Sequence, residues 1–465
     1  MFHVRDCAQN RTKLRPKSPD VLIQGQKEID MDLKIENIDI QLIRPYTNNA
    51  KEHSEKQIAQ IAESIRQFGF NNPVLIDEAG EIIAGHGRVA AAQILNLASV
   101  PVIQLRHLSP AQKMAYRLAD NKIAENGGWN TELLKLELEK IESNCENLDL
   151  SVTGFDSIEL DVMLSTPTQT GADARTNAVP YIPENEIISR PGDIWQIGPH
   201  RIICGNSLDE STFIALMGDE RADMILQDPP FNVPVNGHVC GAGKIKHKEF
   251  AMASGEMSTD EFTEFLRQNF ALCAKFSRPG SLHYNFMDWR HLAEILTAGR
   301  AEFSDFINLC VWAKTSGGMG SLYRSQHELC LIFRNGKESH VNNVELGRHG
   351  RYRTNVWNYA GVNAFGHHKG DIKLHPTVKP VEMLHDAILD VTRRGDIVLD
   401  TFLGSGSTLI AVQKAHRICR GIEYEPLYID TSIRRFYELF GIDAVHQATG
   451  QTYSELLTKK REEHD

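Results

Sequence analysis

The sequence predicts an α/β protein with two unequal units, and three observations support this class. The 465 residues exceed the length of one typical domain. From residue 187 onward, short apolar runs alternate with segments of helical period, which is typical of a mostly parallel sheet with helices on both faces. A shorter alternation fills residues 34–125, and residues 165–186, rich in small and turn-forming residues, are predicted to be a linker.

The first unit is expected to contain a capped helix at 54–68. Ser54 is placed to cap its start, apolar residues recur on one face, and Gly69 is placed to end it. A glycine-rich box, Gly85-His86-Gly87-Arg88, opens a second helix. The other predicted elements of this unit are strands at 73–77, 81–84 and 100–105 and the second helix at 89–97.

These elements and their order resemble the N-terminal domain of the ParB-like nuclease and partition family. The matching segments are Ile43-Arg44-Pro45 and residues 58–65, 68–74 and 84–92. The resemblance implies a small ParB/sulfiredoxin-like α/β domain whose glycine box binds a nucleotide phosphate or DNA, as a helix N-terminus can. The box lacks the acidic residue usual in that family, and a plain glycine-rich turn with a surface arginine is the alternative.

The next segment, 126–164, is predicted to be a helical connector. Thr131 is placed to cap a leucine-rich helix whose apolar residues pack in a core. In the larger unit the clearest predicted strands are 224–227, 281–285, 307–312, 329–333, 397–400 and 418–422.

Composition excludes several classes of protein. The hydrophobic fraction of 41% and charged fraction of 24% suit a globular chain, and no apolar run approaches the roughly 18 residues needed to span a bilayer, so no membrane partner is expected. Residues 1–33 are basic without the apolar core of a secretory signal, which indicates a flexible tail. Eight cysteines without a Cys-x-x-Cys pair favour reduced thiols and a cytoplasmic location. His238-x-Cys240 and His367-His368 lack closing ligands, so no metal site is predicted.

The motif Asp228-Pro229-Pro230-Phe231 follows the apolar run Met224-Ile225-Leu226. An enzyme that modifies a base amine in duplex DNA must flip the nucleotide into a pocket. The amine is a poor nucleophile because its lone pair is delocalised into the ring, and two acceptors against its N–H bonds localise that lone pair. The Asp228 carboxylate and the Pro229 carbonyl, on a backbone stiffened by two prolines, suit this role, and Phe231 offers a stacking face. A plain loop after a strand is the alternative.

A second motif, Asp400-Thr401-Phe402-Leu403-Gly404-Ser405-Gly406-Ser407-Thr408, follows another apolar run and precedes a helix at 409–414. Gly404 and Gly406 permit a tight turn and close approach to a ligand. Glu423, about 20 residues further on, suits a ribose diol. These features predict a nucleoside-cofactor site, and an NAD site would share them.

A third motif, His375-Pro376-Thr377-Val378-Lys379-Pro380, separates these possibilities. The three motifs, in this order within residues 187–465, closely resemble the β-type DNA amino-methyltransferases, which implies a Rossmann-like fold and S-adenosyl-L-methionine as cofactor. The resemblance implies that the first motif, Asp228, Pro229, Pro230 and Phe231, holds the base. It implies that Asp400, Phe402, Gly404 and Gly406 line the cofactor site, that Glu423 binds the ribose, and that Thr377, Lys379 and Pro380 seat the methionine end. Asp in the first position is more typical of adenine-N6 than of cytosine-N4 enzymes.

The net charge of −11 hides a local reversal at 324–379, where nine Lys and Arg outnumber four acids. A basic patch on an acidic chain indicates a face that meets phosphate, although a solvated loop is the alternative. The resemblance places target recognition at about 324–374. The predicted DNA-binding residues are Arg334, Arg348, Arg351 and Arg353.

The sequence therefore predicts a site-specific DNA methyltransferase acting on the N6 amine of a flipped-out adenine. Double-stranded DNA is the expected partner, while a nucleotide at the N-terminal domain and a homodimer stay open. One alternative is a cytosine-N4 enzyme, and another is a ParB-like, nucleotide-gated DNA-binding protein with an inactive methyltransferase domain. An NAD-dependent oxidoreductase is disfavoured because no second, substrate-binding domain is evident.

Overall fold

The computed structural model describes residues 33–144, 148–164, 176–232, 255–317, 322–344, 351–361 and 378–463. The chain divides into two compact units. The first unit runs to Asn130 and includes Ser151–Gly154, and the second comprises Thr131–Leu150 and everything from Phe155 onward. Among the described helices, none has the length and apolar character needed to cross a membrane.

The first unit packs helices against a four-stranded sheet. Its elements are β1 (Ile35–Asp39), α1 (Glu55–Phe68), β2 (Val74–Ile76), β3 (Ile82–Ala84), α2 (His86–Ile94), β4 (Ser99–Gln104) and α3 (Pro110–Glu125). The sheet order is β1-β4-β2-β3, with β2 and β4 parallel and the outer pairs antiparallel. The predicted caps of α1 are confirmed, because Ser54 accepts from the Gln57 amide and Gly69 ends the helix with φ 85°.

The second unit contains the remaining elements. Its helices are α4 (Thr131–Asn144), α5 (Ser157–Leu164), α6 (Glu210–Met217), α7 (Thr259–Lys275), α8 (Leu292–Glu302), α9 (Val381–Val391), α10 (Ser407–Lys414), α11 (Pro426–Phe440) and α12 (Tyr453–Glu462). Its strands are β5 (Ile194–Ile197), β6 (His200–Cys204), β7 (Ala222–Gln227), β8 (Ser277–Met287), β9 (Asp305–Ala313), β10 (His327–Arg334), β11 (Val356–Asn358), β12 (Ile397–Asp400), β13 (Ile418–Glu423) and β14 (Val445–His446).

These strands form one sheet in the order β11-β9-β10-β8-β7-β12-β13-β6-β5-β14. The central strands β8, β7, β12, β13 and β6 are mutually parallel, whereas β10, β9, β5 and β14 add antiparallel pairs on the flanks. The six strands predicted in this unit are confirmed as β7, β8, β9, β10, β12 and β13. The apolar runs predicted them because a strand buried on both faces has no polar alternation.

Both faces of the sheet are covered by helices, as predicted. Met224 and Leu226 of β7 pack into a core shared with α9, α10 and α11. Ile225, between them, points to the opposite face and packs with residues of α6 and α7. The period-two alternation of strand side chains therefore divides one short apolar run between two cores.

The helices predicted to connect the units pack within the second unit. Leu138 of α4 and Leu160 of α5 share a small core. The fully buried Arg417 guanidinium lies 2.8 Å from the Asp161 carboxylate, and Arg394 contacts Glu142 at 2.9 Å. Removing one partner of such a buried pair leaves an uncompensated charge, at a cost of about 3–5 kcal/mol, so α4 and α5 are firmly attached to the ten-stranded sheet.

A crevice is expected where the chain changes direction across the sheet. From β7 the chain continues to the neighbouring β8, whereas from β12 it continues to β13 on the opposite side. β7 and β12 are themselves neighbours, so their carboxyl ends flank a topological switch point. Ligands of open α/β sheets bind at such points.

Candidate active site

Three acidic side chains stand at the carboxyl ends of three neighbouring parallel strands. Asp228 follows β7, Asp400 ends β12, and Glu423 ends β13. Register pairs Leu399 with Ile225 across the first junction, and Asp400 with Gly421 across the second. The two motifs that sequence reasoning singled out therefore meet at one edge of the sheet.

The Asp228 carboxylate is held from one side by a lysine. The Lys379 Nζ atom lies 2.5 Å from Asp228 Oδ2, and the lysine is 5% exposed. Asp228 Oδ1 is buried and has no hydrogen-bond partner among the described residues. Burial raises the pKa of Asp228, and Lys379 opposes that rise. One oxygen of this carboxylate thus has an internal partner and the other is left for a ligand.

Lys379, which the resemblance expects to seat the methionine end of the cofactor, has its ammonium beside the base motif. The ammonium lies 5.3 Å from the ring centre of Phe231 and 5.1 Å from that of Phe286. Pro380, the next residue, is the N-cap of α9. The start of α9 therefore positions Lys379 beside Asp228 and Phe231, where its ammonium donates to the Asp228 carboxylate.

Two charged residues that sequence reasoning missed complete this cluster. Glu328 of β10 is 9% exposed, and its Oε2 lies 3.1 Å from Lys379 Nζ. Its other oxygen, Oε1, is contacted by the Lys314 ammonium. In the sequence, Glu328 counted only as one acid of a basic segment. Its position at the start of an apolar strand could have identified it, because a buried acid without a partner is energetically costly.

The glycine motif forms a cradle around Glu423. The Gly404 amide donates to Glu423 Oε2 at 2.8 Å, and the Glu425 amide donates to Oε1 at 2.9 Å. Gly406 has φ 83°, and a Cβ there would lie 2.8 Å from Ser432 Oγ. Only glycine suits that position, because an added side chain would be strained and would collide.

The carboxyl groups of this cradle are poised for donors from a ligand. Burial raises the pKa of Glu423 to about 7, and burial also raises the pKa of Asp400 to about 7. Each Glu423 oxygen accepts one backbone N–H and keeps capacity for a second bond. Two vicinal hydroxyls of a ribose satisfy that demand, so the donor and acceptor set fits the nucleoside part of S-adenosylmethionine. Phe402 supplies a partly buried apolar wall.

A buried arginine supports the glycine loop from below. The Arg435 guanidinium of α11 donates to the Ser405 carbonyl at 3.0 Å and to Ser407 Oγ at 3.1 Å. Its Nη2 donates to the Thr176 carbonyl at 2.7 Å. The adjacent Asn177 accepts from the Val381 amide at 3.1 Å. Thr176 and Asn177, which lie within the predicted linker, thus connect the glycine loop with the first turn of α9.

A buried polar network joins the floors of the two predicted sites. The Thr401 hydroxyl donates to Gln227 Oε1, and Gln227 Nε2 donates to Asn285 Oδ1 at 2.7 Å. Asn269 of α7 donates to the Thr401 hydroxyl at 3.1 Å. Gln227 and Thr401 adjoin Asp228 and Asp400 along the chain, so these bonds fix the spacing between the two motifs.

The predicted DNA-binding arginines have internal partners where the structure describes them. Arg334 lies 2.5 Å from Asp305. Arg351 and Arg353 both contact Asp390 of α9, at 2.7 and 3.0 Å. The charge count for residues 324–379 did not include Asp305 and Asp390, because both acids lie outside that segment. The structure therefore gives Arg351 and Arg353 a structural role in attaching the segment to α9.

The N-terminal box also has internal contacts. Gly85 has φ 107° and caps α2, which begins at His86. Arg88 is half-buried and donates to the carbonyls of Asn72 and Pro73, at 2.7 and 2.6 Å. Arg88 thus braces the loop that precedes β2, and the Gly87 amide lies in the first turn of α2.

Some predicted residues lie outside the described part of the chain. They are Thr377, Arg348, the pair His238 and Cys240, and the pair His367 and His368. Within the described ranges, no group of three or more His, Cys, Asp or Glu side chains is arranged to hold a metal ion.

Comparison with known proteins agrees with this geometry. Residues 222–434 match a family model described as DNA methylase, residues 24–122 match the ParB N-terminal domain, and residues 132–191 match a ParB-methyltransferase HTH domain. The chain is a fusion of a ParB N-terminal domain with a DNA methylase domain. It is a DNA methyltransferase of the N6/N4 family, and S-adenosylmethionine is its cofactor. The third match covers the helices that the sequence predicted to be a connector.

Individual relatives are similar to separate parts of the chain. The ParB-like nuclease domain-containing protein YnaK of Escherichia coli (strain K12) is 59% identical over 81 residues, which are 17% of this chain and 93% of YnaK. The type II methyltransferase M.HpaI of Haemophilus parainfluenzae is 24% identical over 262 residues, covering 53% of this chain and 77% of M.HpaI. Among solved structures, the PvuII DNA methyltransferase (cytosine-N4-specific) aligns with a TM-score of 0.41 and 14% identity, over 56% of this chain and 91% of that one.

Proposed function

We propose that this DNA methyltransferase acts on the N6 amine of an adenine flipped out of double-stranded DNA. The observation that carries the proposal is the Asp228 carboxylate, of which Oδ2 is held by Lys379 while Oδ1 has no partner among the described residues. An exocyclic amine brings N–H donors that such an oxygen accepts. Asp in this position is more typical of adenine-N6 enzymes, which favours adenine over cytosine.

The base is held by the first motif. Asp228 Oδ1 accepts one N–H of the amine, and the carbonyl of Pro229 is placed by the stiff backbone to accept the other. These acceptors localise the nitrogen lone pair. Phe231 supplies the stacking face, a contribution of about 1–3 kcal/mol. As the nitrogen becomes positively charged, the nearby carboxylate stabilises it, and Asp228 is placed to take the proton that the amine then loses.

The cofactor is held by the second motif. S-adenosylmethionine supplies an electrophilic methyl group when bound. Glu423 accepts the ribose hydroxyls, and Asp400, Phe402, Gly404 and Gly406 line the site. Because Gln227 and Thr401 join the two floors, the methyl group and the amine are held at a fixed separation, which lowers the entropic part of the barrier.

The N-terminal box is proposed to take a phosphate of a nucleotide or of DNA. The first turn of α2, opened by Gly85 and His86, presents amide donors as helix N-termini do. Arg88 is engaged with backbone carbonyls, so the ligand would meet the amides. Nucleotide-dependent protection of α2 in hydrogen exchange tests this role, and unchanged exchange would refute it.

Purified protein tests the reaction. Wild type is incubated with DNA and methyl-labelled S-adenosylmethionine, and the digested nucleosides are separated. We expect label in N6-methyladenine, none with Asp228→Ala, and wild-type label with Glu210→Gln, which changes an exposed acid paired with Lys275 at 2.5 Å. Label in N4-methylcytosine would show that the target base is cytosine and not adenine. Binding of DNA with no label in any base would favour a binding protein with an inactive domain.

A further inference from the structure

Four charged side chains form a continuous chain that leads away from the base motif. Asp228 contacts Lys379 at 2.5 Å, and Lys379 contacts Glu328 at 3.1 Å. Glu328 in turn contacts Lys314, at the end of β9. Side-chain exposure is 23% for Asp228, 6% for Lys379, 11% for Glu328 and 29% for Lys314. Two acids and two lysines balance in charge, and the two middle members, Lys379 and Glu328, are the most buried.

We propose that Glu328 and Lys314 are positioning residues for methyl transfer. Lys314 holds Glu328, Glu328 holds the Lys379 ammonium on Asp228 Oδ2, and Oδ1 is thereby left to the target amine. This role rests on the proposed function, because it assigns Asp228 to the amine.

The backbone explains why Glu328 can hold a flexible lysine. β10 is paired on both sides, with Leu329 opposite Met287 of β8 and Glu328 opposite Trp312 of β9. Glu328 therefore projects from a rigid strand, whereas Lys379 has a long flexible stem. An ammonium has three donors and would satisfy either Asp228 oxygen. A second carboxylate at a fixed position selects the orientation that leaves Oδ1 open.

Glu328 and Lys314 also set the net charge of the buried cluster. Without Glu328, the buried cluster would carry a net positive charge beside the nitrogen that becomes positive during transfer. Without Lys314, it would carry a net negative charge. The two substitutions should therefore perturb the ionisation of Asp228 in opposite directions. The groups that face Asp228 are Lys379, Glu328 and Lys314, together with Asp400 on the neighbouring strand.

The test compares Glu328→Gln, Lys314→Met and wild type in single-turnover methylation across pH. Glu328 raises the pKa of Asp228 and Lys314 lowers it. We expect Glu328→Gln to lower the maximal rate about tenfold and to move the acid limb of the pH–rate profile to lower pH. Lys314→Met should move the acid limb to higher pH. Affinity for S-adenosylmethionine, measured by calorimetry, should stay at the wild-type value in both, which also shows that the variants are folded.

Controls separate the inference from the proposed function. Glu210→Gln, which removes an exposed acid from a comparable lysine pair, should match wild type at every pH. Glu328→Asp should recover part of the rate, since it restores the charge. If wild type methylates DNA and both variants give profiles that differ only in height, or match wild type, the positioning role is refuted. If wild type transfers no methyl group to DNA, the proposed function itself fails.

Discussion

Glu423→Gln should change how stability depends on pH. Burial raises the pKa of Glu423 from 4.5 to about 7 in the folded protein. A carboxyl group whose folded pKa is raised contributes full stability below its unfolded pKa, and loses that contribution as pH rises through the folded value. A rise in the pKa from 4.5 to about 7 corresponds to about 3 kcal/mol of stability. Of this, about 2 kcal/mol is lost between about pH 5.5 and pH 8.5.

The substitution also has a cost that does not depend on pH. Both Glu423 oxygens accept backbone N–H groups, from Gly404 and Glu425. A glutamine amide would place its own N–H group against one of these donors, at a cost of about 1–3 kcal/mol. Stability at one pH therefore cannot reveal the carboxyl effect, whereas the difference between two pH values can.

The assay is the thermal midpoint of the methylase unit, without added cofactor, at about pH 5.5 and about pH 8.5. We expect the midpoint of wild type to fall by roughly 4 °C more than that of Glu423→Gln over this interval. The thermal midpoint of Glu423→Gln should still fall somewhat with pH, because the pKa of Asp400 is also raised to about 7. The control Glu210→Gln should show the same pH dependence as wild type. Equal pH dependence in wild type and Glu423→Gln would refute the reasoning.

Three further substitutions test other parts of the account. Gly406→Ala should weaken S-adenosylmethionine binding at least about tenfold in calorimetry, because the added Cβ lies 2.8 Å from Ser432 Oγ; unchanged affinity would contradict the cradle. Arg353→Ala should lower the free energy of unfolding by about 3 kcal/mol without altering the salt dependence of DNA binding. A weaker dependence of DNA affinity on salt concentration would support the phosphate contact predicted for Arg353. Asn177→Ala should lower the methylation rate while DNA affinity is kept, because the Val381 amide at the start of α9 loses its acceptor; an unchanged rate would show that this cap is dispensable.

The two ligand motifs could be predicted because their signals are local. Asp228 and Asp400 each follow an apolar run, and a run buried on both faces indicates a central parallel strand. Gly406 was identified for its backbone freedom, which its φ of 83° uses. Parallel strands align their carboxyl ends, so the meeting of the two motifs followed from the predicted class of sheet.

The pairing of charges could not be predicted, because it depends on distant residues. Lys379 and Asp228 are separated by 151 positions, and no local pattern records which acid a buried lysine will meet. Arg351 and Arg353 looked available for DNA because the charge count stopped before Asp386 and Asp390, the two acids that pair with these arginines. Glu328 was missed for the same reason, since its partners come from β9 and from the start of α9.

The central claim is that the chain methylates adenine N6 in DNA at a specific site. The most direct measurement is to express wild type in a host without DNA methylation and to sequence the genomic DNA with a method that reports modified bases. The account predicts N6-methyladenine in one short motif, and none when Asp228→Ala is expressed. N4-methylcytosine in the motif, or an unmodified genome from cells that contain folded protein able to bind S-adenosylmethionine, would contradict it.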